Sequence, residues 1–62
     1  MTPEQRKKVI DAMDKLSEQE VDSVLQTMHT FTDFLYYACR DVYNAIKSTI
    51  QSVWNWVKSI FS

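Results

Sequence analysis

The chain of 62 residues carries seven basic and eight acidic side chains, for a net charge of −1, with one cysteine and one histidine. These counts exclude an intrachain disulfide and leave too few ligands for a zinc site of the Cys/His type. They also argue against nucleic-acid binding, because proteins that bind phosphate backbones usually present a basic face. A chain this short buries only about 60% of its unfolded surface when it folds alone. We therefore expect self-association or a protein partner to add stability.

The composition predicts an all-α fold. Glycine is absent and the one proline stands at position 3, whereas strands joined by tight turns usually need glycine in those turns. The first helix is predicted over residues 3–16. Thr2 is its N-cap, Pro3 occupies its first position, and Gln5 completes a capping box. Its apolar stripe consists of Val9, Ile10, Met13 and Leu16.

A second helix is predicted to begin at residue 18, after a tight corner. Ser17 is its N-cap, and Glu20 stands three residues later, at the position that completes a second capping box. From there onward, apolar residues recur at steps of three or four without a strong helix breaker. This long stripe consists of Val21, Val24, Met28, Phe31, Leu35, Cys39, Val42, Ile46, Ile50, Val53, Val57 and Ile60.

The stripe leaves open where the chain folds back. An unbroken helix after Ser17 would be a rod about 66 Å long, at about 1.5 Å per residue. The apolar stripe of such a rod would be exposed to water. We prefer a break at Thr30 or Thr32, because either hydroxyl can cap a new helix that begins near Asp33. Weaker candidate breaks lie at Asn44 and at Ser48–Thr49.

The predicted architecture is thus a small helical bundle, all-α and oligomeric, in a single domain that covers residues 1–62. Repeated steps of four in the stripe favour this compact arrangement over a long two-stranded coiled coil. The alternative is a short arm followed by one long helix. The three helices of the preferred version cover residues 3–16, 18–30 and 33–60.

The segment of residues 31–39, FTDFLYYAC, is apolar on nearly every side. Phe31 and Leu35 belong to the stripe, whereas Phe34 and Tyr37 project from the opposite flank. A helix that is apolar all round is usually buried all round, so we favour a place at the centre of the fold. The alternative is a protein-binding patch, because aromatic side chains dominate interface hot spots.

The C-terminal stretch, residues 42–62, contains Lys47 and Lys58 but no acidic residue. Trp54 and Phe61 flank its apolar ridge on one side and Trp56 flanks it on the other. Tryptophans beside lysines at the margin of an apolar face are typical of helices that lie in a membrane interface. We favour packing against protein, because the ridge continues the stripe of the acidic half of the chain.

No pattern for catalysis is present. Cys39 lies on the stripe and is interpreted as a small buried hydrophobe, and His29 as a surface residue. Ten residues of helix would separate the two by about 15 Å, too far for a nucleophile and its base. We expect no enzymatic activity, cofactor, metal or small-molecule substrate.

The expected function is protein binding by a stand-alone regulator, inhibitor or adaptor. Its two tryptophans, three tyrosines and three phenylalanines exceed what so small a core readily buries. The predicted contacts are Phe34, Tyr36, Tyr37, Tyr43, Trp54, Trp56 and Phe61. One alternative is a membrane-surface protein, which would place in lipid Ile50, Val53, Trp54, Val57, Lys58 and Phe61. Another is a structural subunit of a viral or filamentous helical assembly. Because the chain shows no signal peptide and no apolar run of about 18 residues, we expect a cytoplasmic protein.

Overall fold

The computed structural model describes residues 1–61, which form α-helices and one 3-10 segment, without a strand in that range. The predicted all-α class is confirmed. The helices are α1 (Pro3–Asp14), α2 (Glu18–Leu25), α3 (Met28–Ala38), α4 (Arg40–Ile46) and α5 (Ile50–Phe61), with the 3-10 segment at Lys47–Thr49 between the last two.

Both predicted capping boxes are present. The backbone N–H of Gln5 donates to Thr2 Oγ1 at 3.2 Å, and the N–H of Thr2 donates to Gln5 Oε1 at 3.0 Å. At α2, the N–H of Glu20 donates to Ser17 Oγ at 3.2 Å, and the N–H of Ser17 donates to Glu20 Oε1 at 2.9 Å. These bonds satisfy amides that have no partner within the helix, so α1 and α2 begin where the sequence predicts. The first helix ends at Asp14, two residues before its predicted end.

The predicted break at Thr30 or Thr32 is wrong, because the chain turns earlier, at Thr27. Thr27 is extended, with φ −134° and ψ 160°, and its hydroxyl accepts the N–H of Thr30 at 3.0 Å. Thr30 Oγ1 in turn accepts the N–H of Thr27 at 3.2 Å and donates to the carbonyl of Val24 at 2.8 Å. Thr32 only donates to the carbonyl of Met28 within α3. A third capping box, built from two threonines, therefore ends the predicted helix 18–30 early.

The predicted helix 33–60 and the alternative single long helix are also wrong. Cys39 interrupts the helix with φ −143° and ψ 66°, and Ile46, at φ −117°, precedes the 3-10 segment. That segment includes the predicted weaker break at Ser48–Thr49. Neither turn uses glycine or proline, so packing decides them: Leu35 before the first turn and Val42 after it are both buried. The described chain extends only 27 × 21 × 20 Å.

One apolar core joins all the helices. α1 contacts α4, and α5 contacts both α2 and α3. The buried side chains are Val9, Met13, Val21, Phe31, Leu35, Cys39, Val42, Ile46, Val53 and Val57. All ten belong to the two predicted stripes. Met28 and Ile60 depart from the pattern, since they are 37% and 47% exposed. The predicted oligomer is not tested by a single chain and stays a prediction.

Candidate protein-binding surface

Three tyrosines and an arginine meet where α3 ends and α4 begins, and we refer to Tyr36, Tyr37, Arg40 and Tyr43 as the tyrosine cluster. The ring centroid of Tyr36 lies 5.4 Å from that of Tyr37 and 5.3 Å from that of Tyr43. Both pairs are edge-to-face, an arrangement that the charge distribution of aromatic rings favours. The turn at Cys39 brings α4 back toward α3, and with it the ring of Tyr43 toward that of Tyr36.

Arg40 holds the centre of the cluster in place. Its guanidinium carbon lies 3.8 Å above the centroid of the Tyr36 ring, and its Nε donates to the carbonyl oxygen of Tyr36 at 3.0 Å. Tyr37 is 83% exposed and Tyr36 39% exposed, whereas Tyr43 is half-buried against the core. The result is an ordered, cationic and aromatic surface. The sequence prediction did not include Arg40, although its spacing of four from Tyr36 favours a contact on one helix face.

Phe34 makes none of the ring contacts of the tyrosine cluster. It is half-buried and packs against the core, at the edge of a shallow groove of about 420 Å³. The groove is lined by Leu16, Ser17, Gln19, Glu20, Ser23, Val24 and Phe34. The favoured interpretation of Phe34 and Tyr37 as one buried flank is therefore wrong for Tyr37, which is exposed whereas Phe34 is half-buried.

The tryptophans attach α5 to the other helices. The indole N–H of Trp54 donates to the carbonyl oxygen of Leu25 at 3.2 Å. Lys58 Nζ lies 3.5 Å from the centroid of the Trp54 ring. Trp56 lines a shallow groove of about 270 Å³, with the guanidinium of Arg6 5.7 Å from its ring centroid. Both indoles are half-buried, as is Phe61 against the core. Of the seven predicted contacts, only Tyr36 and Tyr37 are exposed.

The six residues that the membrane-surface alternative places in lipid are buried or half-buried in this fold. Val53 and Val57 belong to the core, with exposures of 6% and 0%, so they form no exposed apolar face in this fold. The other four members of that set are half-buried: Ile50, Trp54, Lys58 and Phe61. Within residues 1–61, none of the helices combines the length and the apolar character that crossing a bilayer requires.

One ion pair ties α1 to α4. Lys8 Nζ lies 2.6 Å from Asp41 Oδ2, and this hydrogen bond, with the attraction of opposite charges, raises the pKa of Lys8 and lowers that of Asp41. Cys39 is buried beside this pair, with Sγ 3.7 Å from the carbonyl oxygen of Lys8. Burial raises the pKa of its thiol, which opposes formation of a reactive thiolate.

The isolated histidine is a surface residue, as predicted. His29 Nε2 lies 3.3 Å from Asp33 Oδ2 on α3, and both side chains are exposed. Across residues 1–61, no group of three or more His, Cys, Asp and Glu side chains is arranged to hold a metal ion. Comparisons with models of protein families, with curated proteins and with solved structures found no match.

Proposed function

We propose that this protein is a non-enzymatic interaction module, a small regulator, inhibitor or adaptor that binds a larger protein through the tyrosine cluster. The observation that supports it is the exposure of Tyr37, which presents 83% of its surface next to an ordered partner ring. Tyrosine and arginine are the residues most enriched, with tryptophan, in the hot spots of protein interfaces.

The geometry of the tyrosine cluster favours binding because its side chains already have neighbours that restrict their motion, so binding costs little side-chain entropy. Tyr36 is fixed by two neighbouring rings and by the Arg40 guanidinium, so it loses little side-chain freedom when a partner docks. Tyr37 adds an apolar ring with a hydroxyl that can donate or accept a hydrogen bond. The matching partner surface is an apolar depression that receives Tyr37, bordered by a carboxylate or carbonyl oxygens for Arg40.

Capture of the partner with matched variants tests this function. Tyr37→Ala removes the most exposed ring, and Ile60→Ala removes an exposed apolar side chain from α5, 47% exposed, as the control. Wild type and Ile60→Ala are expected to retain the same protein from the native cell, and Tyr37→Ala to lose it. Calorimetry with that purified protein should then show at least a tenfold weaker affinity, about 1.4 kcal/mol. Equal retention by all three folded proteins would refute the proposal.

The two alternative functions stay predictions with their own tests. Insertion of α5 into a membrane requires its core residues Val53 and Val57 to leave the fold, so it predicts that the intact protein floats with anionic vesicles and loses the Trp54–Leu25 contact. A structural subunit of a helical assembly requires open-ended growth. Light scattering over a range of concentrations would show that growth, whereas a closed oligomer would reach a limiting mass.

A further inference from the structure

In the second half of the chain, the spacing of the apolar residues is that of one straight helix, although the chain there forms several short helices. At about 100° per residue, the buried side chains from α3 to α5 would lie within a sector about 80° wide on one continuous helix. These residues are Phe31, Leu35, Cys39, Val42, Ile46, Val53 and Val57. Residues 28–61 contain neither glycine nor proline. The sequence of this segment therefore suits both the bent and the extended form.

The turn at Cys39 is one residue wide. The N–H of Cys39 donates to the carbonyl of Leu35 at 2.8 Å, and the N–H of Tyr43 donates to the carbonyl of Cys39 at 2.8 Å. Each bond has the four-residue spacing of an α-helix, so helical bonding reaches Cys39 from both sides. No side chain caps the start of α4. A change of the Cys39 dihedrals from φ −143° and ψ 66° to helical values would join α3 and α4.

We propose that two copies of this chain exchange α4 and α5, with Cys39 as the hinge. In the exchanged dimer, α3 and α4 form one helix, and residues 40–61 of each copy occupy on the other the place that they hold in the closed chain. The contacts of α4 with α1, and of α5 with α2 and α3, are then made between copies. The Lys8–Asp41 ion pair and the Trp54–Leu25 hydrogen bond likewise become intermolecular.

Such an exchange needs no new complementary surface, because the contacts of α4 with α1, and of α5 with α2 and α3, are made again with the second copy. Only the contacts between α3 and α4 across the turn, such as that of Arg40 with Tyr36, change when the two helices join. It adds helical hydrogen bonds across the hinge and loses the freedom of two independent molecules. The dimer is therefore expected at high protein concentration. Straightening the turn at Cys39 would rearrange the tyrosine cluster within each chain, because Tyr36 precedes the hinge and Tyr43 follows it. The function proposed above belongs to the closed chain and does not require the exchange.

The ion pair supplies a direct test with the native sequence. Isotopically light and heavy chains are unfolded together, refolded at millimolar concentration and separated by size. A carbodiimide then joins the Lys8 ammonium to the Asp41 carboxylate, which are in contact at 2.6 Å. In the dimer fraction, about half of the Lys8–Asp41 cross-linked peptides should carry one light and one heavy half, as random pairing of exchanged chains predicts. Cross-linked peptides of one isotope only, or no dimer at all, would overturn the proposal.

A pair of hinge variants tests the mechanism separately. Arg40→Pro places proline at the first position of α4, where it is tolerated, but proline inside a continuous helix breaks the helix. Arg40→Ala removes the same contacts with Tyr36 and leaves the hinge free to become helical. The dimer fraction should fall at least tenfold in Arg40→Pro relative to Arg40→Ala, with equal helical content in the monomers. Equal dimer fractions would exclude the hinge at Cys39.

Discussion

The indole nitrogen of Trp54 and the carbonyl oxygen of Leu25 form a hydrogen bond of 3.2 Å between α5 and the last residue of α2. The final carbonyls of a helix lack partners within it, so this bond satisfies a group that would otherwise need water. It also orients α5 while Val53 and Val57 fill the core. Trp54, which the membrane-surface alternative would place in lipid, is therefore a structural contact in this fold.

Replacing the indole should reveal how much this contact contributes. Trp54→Phe keeps an aromatic ring but removes the N–H donor, and should lower the free energy of unfolding by about 1–2 kcal/mol. Trp56→Phe is the matched control, because the ring of Trp56 faces the guanidinium of Arg6, and a benzene ring retains part of that attraction. Urea unfolding followed by far-UV circular dichroism measures both. Equal losses would show that ring area, and not the hydrogen bond, is responsible.

The position of the second turn predicts different effects for two threonines. Thr27→Ala removes the N-cap of α3 and should reduce stability by about 1 kcal/mol. Thr32→Ala removes only a hydroxyl that bonds to the carbonyl of Met28 within the helix, and should change stability by less than about 0.5 kcal/mol. Thermal unfolding of the two variants at one pH provides the comparison. A larger loss of stability in Thr32→Ala than in Thr27→Ala would support the helix break that the sequence predicts at Thr30 or Thr32.

Acid should weaken the fold through two carboxylates. The pKa of Glu20 is lowered by hydrogen bonds from the backbone and side chain of Ser17, and that of Asp41 by its hydrogen bond with Lys8. Because both pKa values are lower in the folded state, their contribution is complete above about pH 5 and is lost as pH falls through the folded values.

Two amide variants separate these contributions. Glu20→Gln keeps an oxygen acceptor for the N–H of Ser17 but cannot titrate, and Asp41→Asn removes the charge that pairs with Lys8. Stability between pH 7 and pH 3, measured by urea unfolding, should decline less in each variant than in the wild type. An unchanged slope in both would show that other groups control the acid response.

The thiol of Cys39 should react slowly in the folded protein. It is buried in the core, and that burial raises its pKa, so both access and thiolate content are low. Alkylation by iodoacetamide at pH 8 should be at least tenfold faster in denaturing urea than in buffer. A native rate close to the unfolded rate would mean that the turn at Cys39 opens readily.

The first two helix starts were predictable because their signals are local. Thr2 with Gln5, and Ser17 with Glu20, each satisfy backbone amides within four consecutive residues. Thr27 with Thr30 carries a similar local signal, but threonine at the third helical position is a less common capping partner than Glu or Gln. The predicted cap therefore lies at Thr30 or Thr32 instead. The turn at Cys39 has no local signal of this kind.

The candidate surface was only partly predictable. Tyr36, Tyr37 and Tyr43 were expected to make contacts, but so were Trp54 and Trp56, which hold α5 against α2 and α1. Aromatic residues serve cores and interfaces equally well, so residue type cannot separate the two uses. The exposure of Tyr37 and the burial of Val57 depend on which neighbours the turns bring to each helix.

The amino-acid sequence by itself determined that this protein is helical, where α1 and α2 begin, and the two stripes from which every buried residue comes. These properties follow from hydrogen bonds and periodicity within a few residues of each position. Only the tertiary structure decided where the long stripe bends and which rings remain outside. The spacing of the stripe is compatible with a straight helix and with a bent one. The burial of Phe31, Leu35 and Val42 in one core favours the bent form.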